Sequence, residues 1–211
     1  MKIAAVGFRV HSGWSAVVGV CLEKGAPVVL CRQRMQLVET FTYRFRQPYH
    51  TGEKMTLAEA REFIAGVREK GRELAHHAIH DLQAELKERG YQLTRGALLL
   101  ASGKALPELE KILASHALIH SADGELFREC LSHASARCEL AVVSIREREL
   151  LDQAVKTLRV PRPSLLRRVT ELGRPFGAPW SQDEKYATLG AWLAAHTSRK
   201  SNHKMITGKP A

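Results

Sequence analysis

Residues 1–35 read MKIAAVGFRVHSGWSAVVGVCLEKGAPVVLCRQRM, and the way this stretch divides decides the fold. Lys2 to Val10 is a short apolar run that closes at Arg9. His11-Ser12-Gly13 is a turn signal, and Trp14 to Leu22 is a second, Val-rich run. Glu23-Lys24-Gly25 is another turn, and Pro27 to Met35 is a third run. Three β-rich runs joined by tight polar turns predict an antiparallel meander.

Beyond the meander, Phe41, Tyr43 and Phe45 alternate with Thr42, Arg44 and Arg46. That period of two reads either as an extension of the third strand or as a surface loop, ended by Pro48 and Gly52. Thr56 to Gly90 predicts a long helix. Thr56 and Glu59 form a capping box, and Ala60, Ile64, Val67, Gly71, Leu74, Ala78, Leu82 and Leu86 form one apolar stripe. Gly90 is a fitting stop. Such a helix spans roughly 50 Å at 1.5 Å per residue, so it either overhangs the domain or kinks near Gly71.

Ala97 to Ala101 predicts a buried strand, followed by a Ser102-Gly103-Lys104 loop and a short helix from Pro107 to about Ser115. Ser121 to Cys138 predicts a helix capped by Ser121, Leu140 to Ile145 a fifth, apolar strand, and Arg146 to Leu158 a further helix. After a Pro-rich break at 159–163, Ser164 caps a short helix to Leu172. Ser181-Gln182-Asp183-Glu184 is a second capping box, opening a final helix to about His196. Residues 197–211 are polar and basic without periodicity and predict a disordered tail, leaving residues 1–196 as one domain. There is no internal repeat.

The chain has 211 residues, 45% apolar and 26% charged, which excludes disorder, collagen and coiled coil as descriptions of the whole. No apolar run approaches the ~18 residues of a membrane span. Thirty-two Lys and Arg against 22 Asp and Glu give a net charge of +10, a balance that suits a polyanionic partner such as DNA or RNA. Cys21, Cys31, Cys130 and Cys138 form no CxxC pair, so zinc-finger spacing fails. The N-terminus enters a strand pattern without the h-region of a signal peptide, which predicts a cytoplasmic protein. Walker A, GxGxxG and GxSxG patterns do not occur, which disfavours P-loop ATPase, dinucleotide enzyme and serine hydrolase.

The order of elements, three meander strands, a long helix, then two apolar strands alternating with helices, resembles the ribonuclease H-like superfamily, and within it the Holliday-junction resolvases. An actin-like ATPase half-domain shares the early topology. The resemblance covers residues 1 to about 196. It implies an α/β fold in which the meander and two parallel strands form one mixed sheet flanked by helices. It also implies phosphodiester cleavage by two divalent metals held by acids at the ends of strands one and four and the start of the final helix. Here the first position is Arg9 and the second Ser102; the third keeps Asp183 and Glu184. One acid of three does not hold two cations, and an arginine repels them.

On the same resemblance, other polar residues gather at that sheet edge, where ligands bind in open α/β sheets. His120, Asp123, Glu125 and Asp183 are the candidate catalytic set, with a single divalent metal among them only under the second of the functions below. Arg9, His11, Lys104 and Lys185 are candidate phosphate contacts. Arg44 and Arg46, with Arg32, Arg34 and the nearby aromatics, fit base stacking and phosphate contact. Arg167 and Arg168 belong to a second basic cluster with Arg159, Arg162 and Arg174. His76-His77-x-x-His80 reads as a solvated helix face, and His116 with His120 as packing of an irregular segment, so no metal site and no resident cofactor is expected.

Three functions compete. The leading one is a nucleic-acid-binding ribonuclease H-like protein without two-metal cleavage. The second is a single-metal nuclease or phosphate hydrolase using the catalytic set above. The third is a non-catalytic structural or partner-binding protein whose interaction surface is the helix at 56–90, forming a homodimer if the helix overhangs and exposes its apolar stripe.

Overall fold

The computed structural model describes residues 1–101 and 105–206, with side chains described through His196. The three predicted meander strands form as β1 (Lys2–His11), β2 (Trp14–Glu23) and β3 (Ala26–Gln36). At the β2–β3 turn Lys24 and Gly25 both take positive φ, 49° and 88°, the backbone a tight hairpin twisting with its strands requires. Two parallel strands follow, β4 (Tyr91–Leu100) and β5 (Ala141–Arg146), in the order β3-β2-β1-β4-β5. β4 begins at Tyr91 rather than Ala97, pairing Tyr91 with Lys2 and Gln92 with Ile3. Among residues 91–95 only Leu93 is buried, so the apolar run marks just the strand's second half. β5 is an edge strand, and Val143 is exposed on it despite the apolar sequence.

Alternation along β1 assigns its neighbours to two faces. Ala4, Val6, Phe8 and Val10 join the large core beneath the long helix α3 (Leu57–Glu88) and α5 (His116–Arg137). Ala5 joins the opposite core, with Ala97, Leu99, Leu189 and Trp192, and Gly7 and Arg9 face the same way. That second layer consists of α6 (Leu150–Leu158), α7 (Arg162–Leu172) and α8 (Gln182–Ile206). α8 lies directly on β1: a Cβ at Gly7 would stand 1.9 Å from the Ala187 carbonyl oxygen, so glycine is what lets helix and strand backbones touch.

The Thr56–Glu59 capping box forms as predicted. α3 runs as one helix through Gly71, where a Cβ would meet Cys130 Sγ at 2.9 Å and the Leu37 carbonyl at 3.3 Å; the glycine serves close packing of α3 on its neighbours. The buried stripe is Ala60, Ile64, Val67, Gly71, Ala75, Ile79, Leu82 and Leu86, so Ala75 and Ile79 replace the expected Leu74 and Ala78. The chain's own core covers this stripe.

Two short helices stand where the sequence suggested strand or loop: α1 (Tyr43–Arg46) and α2 (Pro48–Gly52). Pro48 starts a helix instead of ending a segment, because its fixed φ suits the first helical position. After α4 (Leu109–Leu113), α5 begins at His116, so Ser121 lies inside it. The Ser121 hydroxyl donates to the Ala117 carbonyl at 3.0 Å, and its expected capping role is corrected. At α8, the Asp183 N–H donates to Ser181 Oγ (3.1 Å) and the Ser181 N–H to the Glu184 carboxylate (2.7 Å). The α8 backbone continues to Ile206, past the expected end at His196; residues 207–211 of the predicted tail lie outside the described residues. No helix among the described residues is long and apolar enough to cross a membrane, and the four cysteines are free thiols.

Candidate nucleic-acid interface

β1 carries Arg9 to the edge of the sheet where β1 and β4 end, and α8 begins at the same edge. Arg9 grips two acids there. Its Nε and Nη2 donate to both carboxylate oxygens of Glu147, at 3.0 and 2.6 Å, and its Nη1 donates to Asp183. Glu147 stands in the turn directly after β5. The guanidinium is 15% exposed, lies 5.3 Å from the Tyr186 ring, and is held even more firmly protonated than usual by the Glu147 bond against the cost of burial. His11, two residues further along β1, meets the same Asp183 oxygen at 2.8 Å.

The arrangement contains two carboxylates and a permanent cation. A two-metal centre needs carboxylate oxygens free to face the ions. Here the guanidinium already engages Glu147 through both oxygens and also holds Asp183, and its charge opposes any cation placed between them. The residues present do not fit the two divalent cations implied by the resemblance. Ser102 and Lys104, expected on the neighbouring loop, lie outside the described residues.

From His11 a continuous band of rings and cations extends over the end of the meander. His11 stacks on Trp14, centroids 4.4 Å apart with planes 14° from parallel. Arg34 lies 4.0 Å from the Trp14 ring and 5.1 Å from Phe41, and Arg46 lies 4.3 Å from Phe41. The register explains the proximity, since His11 pairs with Trp14 and Trp14 with Gln36. Arg46 Nε also donates to the Ser12 carbonyl at 3.3 Å, tying α1 to the β1–β2 turn. Phe41 is 39% exposed, so the band is open to solvent.

Other expected contacts lie elsewhere. Arg44 sits 4.8 Å from the Phe63 ring of α3. Arg32 donates to the Pro179 carbonyl at 2.5 Å, bracing the loop before α8. Arg168 lines a cavity with Pro27, Val28 and Val29 at the start of β3, the opposite end of the sheet from Arg9. Arg167 reaches Ser164 on its own helix and Arg162 pairs with Asp152. Lys185 is half-buried in the first turn of α8.

The candidate catalytic set divides among different partners. Asp183 belongs to Arg9 and His11, and Glu125 pairs with Arg128 at 3.4 Å. Asp123 is 2% exposed, accepting from the Tyr49 N–H at 2.8 Å and meeting His50 Nδ1 at 2.5 Å. Burial raises its carboxyl above the ordinary value, while the His50 and Tyr49 bonds act in the opposite sense. His120 lies against His116 and His50, with ring centroids 4.5 and 4.4 Å away. The sequence reading misses Glu147 and His50. Glu147 is one of several acids after β5, and its direction depends on the turn; His50 stands on a helix too short to show a period.

A five-stranded mixed sheet in this order, with the meander leading and helices on both faces, defines a ribonuclease H-like fold. Two solved structures of Thermus thermophilus RuvC share it. The protein alone has a TM-score of 0.52 at 11% identity, covering 94% of this chain and 96% of that one. RuvC in complex with a Holliday junction substrate has a TM-score of 0.54 at 12% identity, covering 99% of both chains. No protein-family model matches the sequence, and no curated protein matches it.

Proposed function

We propose that this protein binds nucleic acid through the edge where β1 ends and does not cleave it by a two-metal mechanism. The observation that carries the reading is the open band of His11, Trp14, Arg34, Phe41 and Arg46 beside the Arg9–Asp183 contact. Exposed rings offer stacking surfaces to bases while interleaved arginines meet phosphates. The net charge of +10 supplies long-range attraction, and a RuvC neighbour is solved with a Holliday junction, which makes branched DNA the first probe. In this reading Arg34, Arg46 and His11 contact the nucleic acid directly. Arg9 positions Asp183 and α8, with Lys185 as a flanking phosphate contact. Arg44, Arg167 and Arg168 contribute only to the general field.

Fluorescence anisotropy with a four-way junction, a duplex and a single-stranded RNA tests this. Binding is expected at about 50 mM salt and should weaken steeply as salt rises. The Arg34→Ala/Arg46→Ala variant should lower affinity and reduce the steepness of the log–log salt slope by about 1 per lost phosphate contact. Absence of binding at low salt, or tight binding indifferent to salt, overturns the proposal. Magnesium-dependent cleavage of the junction by the wild-type chain overturns its second half.

A further inference from the structure

Three imidazoles converge where α2 meets the first turns of α5, on a different set of residues from the Arg9 contact. His116 and His120 are one helical turn apart on α5, with Nε2 atoms 3.1 Å apart. His50 reaches in from α2, its ring centroid 4.4 Å from His120 and 5.4 Å from His116. One ring nitrogen from each of the three lies within 4.8 Å of the others.

We propose that His50, His116 and His120 form a binding site for a zinc-type divalent cation. Two nitrogens bound at about 2.0–2.1 Å in a tetrahedral shell stand roughly 3.4 Å apart, close to the 3.1 Å separation of the α5 pair. Bringing His50 in needs only a small adjustment, because the three nitrogens already lie within 4.8 Å of one another and the two α5 rings are exposed. His50 is oriented for the task. Its Nδ1 is engaged by Asp123, which leaves Nε2 as the atom available to a metal. A buried carboxylate behind a ligating histidine fixes the ring and raises its basicity, the usual support behind such a ligand. Asp123 is itself held by the Tyr49 N–H, so the support is rigid.

The donor set selects the ion. Three imidazoles suit borderline transition metals, whereas magnesium and calcium require oxygen. Three protein ligands leave a fourth position for water, and solvent reaches it from the side of His116 and His120. An i, i+4 pair on α5 joined to a ligand on α2 would also bind the short helix to the long one. This inference is independent of nucleic-acid binding.

The test uses the full chain, stripped with chelator and titrated with zinc chloride by calorimetry, with metal content measured after desalting. One zinc per chain is expected, with no heat from magnesium chloride. His116→Ala and His120→Ala should each weaken binding by at least tenfold; both residues are exposed, so these variants fold. Asp123→Asn should weaken it by roughly 10- to 100-fold at unchanged stoichiometry. His80→Ala, in the separate histidine group on α3, should change nothing. Binding that survives both α5 variants, binding lost in His80→Ala, or failure of the wild-type chain to retain zinc overturns the proposal.

Discussion

Gly7→Ala is the smallest change that tests how α8 is seated. The new methyl carbon would stand 1.9 Å from the Ala187 carbonyl oxygen, 2.7 Å from its carbonyl carbon and 2.9 Å from the Ala191 nitrogen. All three are backbone atoms of one helix, so no rotamer change relieves the contact. Reaching an ordinary 3.4 Å requires α8 to retreat by about 1.5 Å. A gap of 0.5–1 Å already forfeits a quarter to a half of each dispersion contact along the interface. The helix buries Ala187, Leu189, Ala191, Trp192 and Leu193 against the sheet and its neighbours. Overpacking of this kind costs on the order of 3 kcal/mol, which for a chain of this size lowers Tm by roughly 6–12 °C. Gly66→Ala is the control: a Cβ there meets nothing within 4 Å on the middle of α3, and removing glycine from a helix interior gains up to about 1 kcal/mol. Melting curves followed by circular dichroism should place the two variants on opposite sides of the wild type. A Gly7→Ala protein melting within about 2 °C of the wild type would refute the backbone contact, and with it the seating of Asp183 beside Arg9.

Three further outcomes are expected. Arg9→Asp adds a third carboxylate beside Glu147 and Asp183, so the variant should melt lower than the wild type in chelator and recover with millimolar magnesium; equal magnesium stabilisation of the wild type would contradict the tethered-cation reading. Burial pushes the thiols of Cys31 and Cys130 up to about 11 and about 12 from an ordinary 9.0. The folded chain therefore holds protons that the unfolded chain releases, and each thiol should lower stability by about 1.4 kcal/mol per pH unit as pH rises above 9. A denaturant midpoint unchanged between pH 9 and 10 would contradict this, as would fast labelling of the native thiols at pH 8. Thr56→Ala removes the capping hydroxyl of α3 and should cost about 0.5–2 kcal/mol, read as a shift in denaturant midpoint at constant slope.

The elements easiest to read were those with a local cause. Turn residues mark both hairpins, a capping box marks the start of α3, and Ser181 with Glu184 marks the start of α8. Arg9 and Asp183 are visible as candidates because each sits at an element's end. What the sequence conceals depends on register or on short elements. Residues 91–95 pair with β1 through backbone bonds that leave little side-chain pattern. His116 to His120 looks irregular because its exposed histidines break the apolar run, yet the first turn of α5 is there. Reading the helix from Ser121 separates His120 from His116 and turns a ligand-like pair into loop packing. Asp123 then appears to be an N-terminal acid, whereas it is a buried group holding a histidine 73 residues away along the chain and adjacent in space.

Arg9 also changes what the end of the sheet requires of its surroundings. A dissolved ion leaves when its concentration falls, whereas a guanidinium anchored to a strand stays at every ionic composition. Docking of the last helix onto the sheet is therefore insulated from the divalent-ion supply of the medium, and the acids around Arg9 act as mortar between layers.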